Sequence, residues 1–219
     1  MTQTTFQRAR KPAERTLRRS AILAAAAELF DLQGIHGTGI NAIAARAGFT
    51  KSNIYRYFES REEVLLSLLL EDLEAYTVVL ETRGPQVQGE PVAALARLAA
   101  EQLLANPRLG RLLGILATIL EENVSEATVA ALKRAIAERL QRLGRVIAAA
   151  LPGTRPEDCS WAAGMIGALI TGTAPSMYPN PTVQAVLDRP EFAAMRPVPD
   201  QHLERPIRAI LQSILPAKA

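Results

Sequence analysis

The chain has 219 residues, 48% of them hydrophobic and 5% aromatic, with 25 Lys and Arg against 22 Asp and Glu. That length and apolar content can bury a sizeable core, in one large or two small domains, and they exclude an intrinsically disordered chain. The single cysteine, Cys159, excludes an intramolecular disulfide and any zinc site of paired cysteines, and it suits a reducing cytoplasm.

The charge is unevenly divided. Residues 1–61 hold ten Lys/Arg and four Asp/Glu, whereas residues 62–219 hold fifteen and eighteen. A cationic end on a mildly acidic body is the layout expected where that end meets a polyanion. Basic tails also solubilise, so the asymmetry alone leaves both readings open. Ala and Leu recur throughout and no Val/Ile/Thr-rich alternating run is bounded by turn residues, so the expected fold class is all-α. The basic N-terminus has no apolar core of the secretory kind. The longest apolar runs, LLGILATIL and WAAGMIGALI, fall short of the roughly 18–20 residues that span a bilayer. A cytoplasmic protein without membrane association is expected.

In chain order, residues 1–14 read as a disordered basic arm, with Arg8, Arg10, Lys11 and Arg15 either reaching a minor groove or merely solvated. A first helix is predicted over about 16–32, with Ile22, Leu23, Ala26, Leu29 and Phe30 on one face, ended by Gly34. Gly34, Gly37 and Gly39 form a loose loop. No strand precedes it and no Gly-Lys-Ser/Thr follows, so it is turn chemistry and not a phosphate cradle. Ile40, Ile43, Ala44 and Ala47 predict a second helix over 40–47, with Thr38 as its N-cap. Gly48 supplies a left-handed turn, and Thr50 caps a third, short helix carrying Lys51, Ser52 and Asn53 in its first turn.

The spacing of Ala44, Gly48 and Ile54 is that of a helix-turn-helix: a small residue where the helices cross, a glycine four positions on, and an apolar anchor six beyond. With Ile54 and Phe58 turned inward, Lys51, Ser52, Asn53, Tyr55, Arg56 and Tyr57 occupy the remaining faces. Those side chains suit base edges and phosphates in a major groove. SREE at 60–63 is a capping box that opens a long helix to about residue 82. After the Gly/Pro-rich break at 83–91, helices are predicted over about 91–105, 107–121, 125–150 and 157–174. Six prolines between 173 and 199 predict a long irregular connection with room for a short helix at 183–188, and a last helix covers 201–215.

The run ILAAAAELFDLQGIHGTGINAIAARAGFTKSNIYRYFESREEVLLSLL resembles the N-terminal domain of the TetR family, the tetracycline-repressor-like bacterial transcription regulators. The resemblance covers roughly residues 15–75 and is carried by the Leu29–Phe30 pair, Gly34, Thr38, Ile43–Ala44, Ala47–Gly48, Tyr55, Phe58 and Arg61. Gly39 departs from the family, which often has a hydroxyl or other helix-friendly residue there. The resemblance implies a three-helix DNA-binding domain over 1–60 and a helical ligand-binding and dimerisation domain over 61–219. It implies a homodimeric repressor released from a pseudo-palindromic operator in double-stranded DNA by a small apolar effector. DNA contacts are expected from Thr38, Thr50, Lys51, Ser52, Asn53, Tyr55, Arg56, Tyr57 and Arg61, with Thr38, Tyr55 and Arg61 on phosphates. In the family the fourth helix links the two domains and its displacement separates the recognition helices. The family's four-helix dimer interface is matched here by the small-residue stretch 162–172 and the C-terminal helix, although Gly164, Gly167, Ala168 and Gly172 serve intrachain packing equally well.

An apolar pocket is expected between the helices of the second domain, with Tyr76, Leu104, Leu116, Trp161 and Met165 as candidate lining. Arg97, Glu101 and Arg111 interrupt apolar faces and are candidate anchors for a polar group. Each is equally at home as core or surface charge. His36 and His202 lack companions at metal-ligand spacing, Cys159 has no evident base, and no nucleophile elbow or dinucleotide fingerprint occurs. No enzyme, metal or cofactor is expected. The alternative from another class is a helical small-molecule-binding or adaptor protein whose helix-turn-helix packs against protein and no longer reads DNA.

Overall fold

The computed structural model describes residues 4–216, with side chains from Ala13 onward. Ten α-helices follow one another among them: α1 (Thr4–Gly37), α2 (Ile40–Ala47), α3 (Lys51–Ile54), α4 (Arg61–Arg83), α5 (Pro91–Ala105), α6 (Pro107–Gly114), α7 (Glu126–Ala150), α8 (Pro156–Met177), α9 (Pro181–Leu187) and α10 (Arg205–Ser213). No strand occurs among the described residues. The all-α expectation is met.

Several boundaries differ from expectation for identifiable reasons. The helix of α1 reaches back to Thr4, so the basic arm is helical from that residue. Ala13 to Arg19 hold good helix formers, and Arg18 bonds Glu14 one turn earlier at 2.5 Å. The side chains of Arg8, Arg10 and Lys11 lie outside the described residues. At the other end α1 breaks at Gly34, whose φ of 64° is the left-handed region glycine adopts freely. The helix expected over 107–121 stops at Gly114 and continues as a widened π turn, Leu116–Leu120. At the break, a Cβ on Gly114 would stand 3.2 Å from the Pro175 ring of α8. The irregular connection after α8 carries α9 and a 3₁₀ segment, Pro190–Met195, neither of which buries a residue. A widened turn, Asp200–Glu204, precedes α10.

Residues of α1 to α3 and the start of α4 share a core made of Ile22, Leu23, Phe30, Ile43, Ile54, Phe58, Leu65 and Leu69, each at most 2% exposed. The capping box forms with a shift of one residue: Ser60 accepts from the Glu63 amide at 3.1 Å, while Glu63 reaches back to the amide of Glu59, not to that of Ser60. From this cap α4 runs out of the head and into the body, where it packs on α7. α8 runs back along α7, with Gly144 close against Ser160 and Gly167 against Leu140. α10 closes the body by burying Ile207 and Leu211 beside α5.

Two ionic clasps fix α4 to its neighbours. Arg142 of α7 grips Glu81 with Nε and Nη2 at 2.9 and 2.6 Å and Glu74 with Nη1 at 2.7 Å. Arg108 of α6 places Nε and Nη2 on the two oxygens of Asp72 in α4, both at 2.7 Å, and Nη1 on Asp31 of α1 at 2.8 Å. Asp72 is buried, so this partner offsets the desolvation of its carboxylate.

Arg108→Leu should therefore lower stability by about 2 kcal/mol, the cost of stranding a buried carboxylate, and adding Asp72→Leu should return part of it; chemical denaturation of the three variants checks this. The hydrogen bond from Arg142 holds the Glu81 carboxyl below its ordinary value of 4.5. Its contribution is present above that value and is lost as pH falls through the lowered one. Arg142→Met should flatten the loss of stability between about pH 5 and 3, read from melting temperature against pH.

Candidate DNA interface and ligand cavity

The turn between α2 and α3 is built by Gly48, left-handed at φ 71°, with the Phe49 amide bonded to the Ala44 carbonyl at 2.8 Å. Thr50 then caps α3, its hydroxyl accepting from the Asn53 amide at 3.3 Å and lying 3.1 Å from the Ser52 hydroxyl. Ile54 and Phe58 are buried, at 0% and 2% exposure. Pinned this way, α3 turns Lys51, Ser52, Tyr55 and Arg56 to solvent, with Thr50 at its entrance and Asn53 and Tyr57 half-buried at its flanks. The Lys51 ammonium lies 5.9 Å from the centre of the Tyr55 ring, so the pair forms one cationic, aromatic ridge.

Two residues expected on phosphates are placed differently. Thr38 is fully buried and its hydroxyl donates to the Gly34 carbonyl at 2.8 Å. It closes the glycine turn and does not cap α2, whose N-cap is Gly39 without a side-chain bond. Arg61 folds onto buried Glu62, with Nε and Nη2 at 2.9 and 2.5 Å from one carboxylate oxygen, so its charge is already met. Arg46, on α2, is likewise held by Glu28 of α1. The cations of this region that keep their charge free of any carboxylate among the described residues are Lys51 and Arg56, both on the exposed face.

The body encloses a cavity of about 310 Å³ walled by α4 to α8 and α10. Tyr76 and Leu116 stand on its wall; Arg97, Leu104, Arg111, Trp161 and Met165 do not. Arg97 points outward near Glu204 at 3.9 Å. Arg111 belongs to the junction with the head, where it covers the Phe30 ring at 5.2 Å and reaches Asp31 at 3.4 Å. Trp161 and Met165 are 50% and 41% exposed on the outer face of α8. With Ala168 and Gly172 they make one exposed stripe, and a Cβ on Gly164 or Gly172 would meet nothing within 4 Å. Gly167 instead packs within the chain, against Leu140. Tyr76 spends its hydroxyl on the Ala99 carbonyl at 3.3 Å, and burial raises its pKa far above the phenol range.

The sequence reading missed the main wall, which is α7. Lys133, Ile136, Arg139, Leu140, Leu143, Val146 and Ile147 line the cavity at helical spacing. Two cations interrupting an otherwise apolar stripe were the available signal. Among the described residues no group of three or more His, Cys, Asp or Glu stands together as a metal site, and no helix is long and apolar enough to cross a membrane.

A helix-turn-helix head joined through one long helix to a hollow helical body defines a two-part, all-helical protein of the DNA-binding regulator type. Comparison agrees: the profile described as bacterial regulatory proteins, tetR family, fits residues 22–68, and that of the tetracyclin repressor-like C-terminal domain fits residues 70–217. The chain belongs to the tetracycline-repressor family, a family of transcription regulators and not of enzymes. It is 36% identical over 64 residues to the HTH-type transcriptional regulator RutR of Escherichia coli K12, covering 29% of this chain and 30% of that protein. It is 38% identical over 58 residues to the regulator LmrA of Bacillus subtilis, covering 26% and 31%. These alignments span less than a third of each curated relative. Over the whole fold it is similar to the multidrug binding protein EbrR, solved with imidazole, at a TM-score of 0.59 and 19% identity over 92% of this chain and 97% of that one.

Gly48→Val should cost about 1–2 kcal/mol, because a β-branched residue cannot sit at positive φ without strain. The loss is checked by melting temperature, with hydrogen exchange showing the α2–α3 segment opening first.

Proposed function

We propose that this protein is a ligand-responsive DNA-binding transcription regulator, acting as a homodimeric repressor on a pseudo-palindromic operator. The observation that carries this reading is the exposed face of α3. Lys51 and Arg56 keep their charges uncommitted there, while neighbouring Arg46 and Arg61 are paired with Glu28 and Glu62. A face of free cations, hydroxyls and aromatic edges on a rigidly capped helix has the composition that major-groove readers use. Lys51, Ser52, Asn53 and Tyr57 are assigned to base edges, and Thr50, Tyr55 and Arg56 to phosphates. The domains divide near residue 60, with α4 as the link. So short a reading helix contacts few base pairs, so two copies are needed for specificity, with half-sites about one helical turn apart.

The exposed stripe Trp161, Met165, Ala168 and Gly172 is the surface assigned to the partner subunit. The cavity is assigned to a small apolar effector, whose binding favours a spacing of the two heads that no longer fits the operator. A helical binding or adaptor protein without DNA reading would need α3 covered by protein. Its free cations argue against that.

Selection of bound duplexes from a randomised pool should return an inverted repeat. Binding to it should weaken steeply with salt, and Arg56→Gln should reduce the slope of log affinity against log salt by about one. A pool without preference, or binding insensitive to salt, would establish the adaptor reading instead.

A further inference from the structure

We infer that the cavity of each subunit is completed by the other: the apolar ridge on the partner subunit's α8 seats over Gly164 and Ala168 and becomes part of the cavity wall. This rests on the reading of the α8 stripe as the dimer surface and of the cavity as the effector site, and it joins the two.

The first observation is a thin place in the wall. Gly164, Gly167, Ala168 and Thr171 of α8 all line the cavity. Lys133 and Ala168 are the exposed residues of the wall; its other members are half-buried or buried. A lysine reaches both cavity and solvent along its aliphatic stem. An alanine has a single methyl group, so at Ala168 the cavity and the outer surface lie within about a methyl's breadth of each other. Gly164, one turn earlier, adds no side chain, and a Cβ there would meet nothing within 4 Å. Gly167 is different, since a Cβ on it would stand 3.4 Å from Leu140 of α7. The thin place is therefore the Gly164–Ala168 window, where little more than helix backbone separates the cavity from the outside.

The second observation says what covers the window. Gly164, Ala168 and Gly172 recur at intervals of four and form a groove along α8, and Trp161, Met165 and Leu169 recur at the same interval and form a ridge beside it. Trp161 and Met165 are 50% and 41% exposed, and no charged residue occurs from Trp161 to Gly172. A helix with a ridge and a groove of the same pitch is complementary to itself, and a twofold axis brings each ridge to the other's groove. The fitting occupant is thus a second copy of this chain. Because Gly164 and Ala168 are the floor of that groove, the ridge that fills it closes the window and faces whatever occupies the cavity. Effector binding and pairing then strengthen each other by the same factor.

The test uses the full-length protein without DNA and the uncharged fluorescent probe N-phenyl-1-naphthylamine. Sedimentation should show a dimer that binds the probe. Met165→Asp changes the ridge and leaves this chain's own cavity wall intact; it should give a monomer that binds the probe about tenfold more weakly. Acrylamide should quench the bound probe more strongly in that monomer. Ala168→Cys gives a second reading that needs no dissociation, because the native Cys159 is buried. Its thiol should react with N-ethylmaleimide about tenfold more slowly than that of Leu32→Cys, exposed on the head, and bound probe should slow it further. If Met165→Asp remains dimeric, these thiol rates decide. A monomer that binds and shields the probe as well as the dimer does, a dimer that does not bind it, or equal thiol rates in the dimer would overturn the inference and leave the homodimer standing. Unsubstituted protein that stays monomeric while binding the probe would instead overturn the dimer reading beneath it.

Discussion

The guanidinium of Arg108 stands between two carboxylates that belong to different parts of the molecule, Asp72 on the long helix of the body and Asp31 near the end of the first helix of the head. Hydrogen bonding to Asp72 is the leading influence on this group and drives its already high pKa further up, so it stays charged at any pH the protein meets. Asp72 is buried and pairs with no other cation among the described residues, which ties the position of α6 to that of α4. Arg111, one turn along α6, covers Phe30 and also reaches Asp31. One short helix thereby touches the head by two cations.

That same helix forms part of the cavity wall. Leu109 and Leu113 face the cavity, and the π turn that continues α6 adds Leu116. Gly110 and Gly114 bring α6 against Tyr178 and Pro175 so closely that a Cβ on Gly110 would stand 2.2 Å from the tyrosine ring. Helix α6 is thus held by ion pairs on one side and by close packing on the other, with the cavity along its length. A π turn is a weak point in such an element, since its hydrogen bonds run to the fifth residue and regular α geometry lies nearby in energy.

Charge disposition across the head follows a similar economy. Four cations lie in or beside the helix-turn-helix, and two of them, Arg46 and Arg61, are engaged by carboxylates of the same domain. Arg19, on the surface of α1, lies over the Phe58 ring at 5.1 Å and bonds Ser67. These contacts brace α1, α2 and α4, while Lys51 and Arg56 on the exposed face of α3 stay unpaired. Burial of Ile54 and Phe58 fixes which face that is, because a helix of one turn has no other means of choosing its orientation.

The sequence by itself determined the elements and their type. Helical periodicity located α2, α4, α5 and α7 to within a residue or so, Gly34 and Gly48 located the two sharp turns, and the spacing of Ala44, Gly48 and Ile54 fixed the helix-turn-helix, because these signals are local and each residue carries its own part. Tertiary structure decided which polar groups remain available. Thr38 and Arg61 are surface-like in sequence, but packing placed one against the Gly34 carbonyl and the other against Glu62. Trp161 and Met165 are as apolar as any pocket residue, yet the pairing of α8 with α7 turned them outward and put the α7 stripe on the cavity instead. Periodicity tells that a helix has an apolar face; only the packing of all the helices together decides whether that face meets a neighbour, a void or solvent.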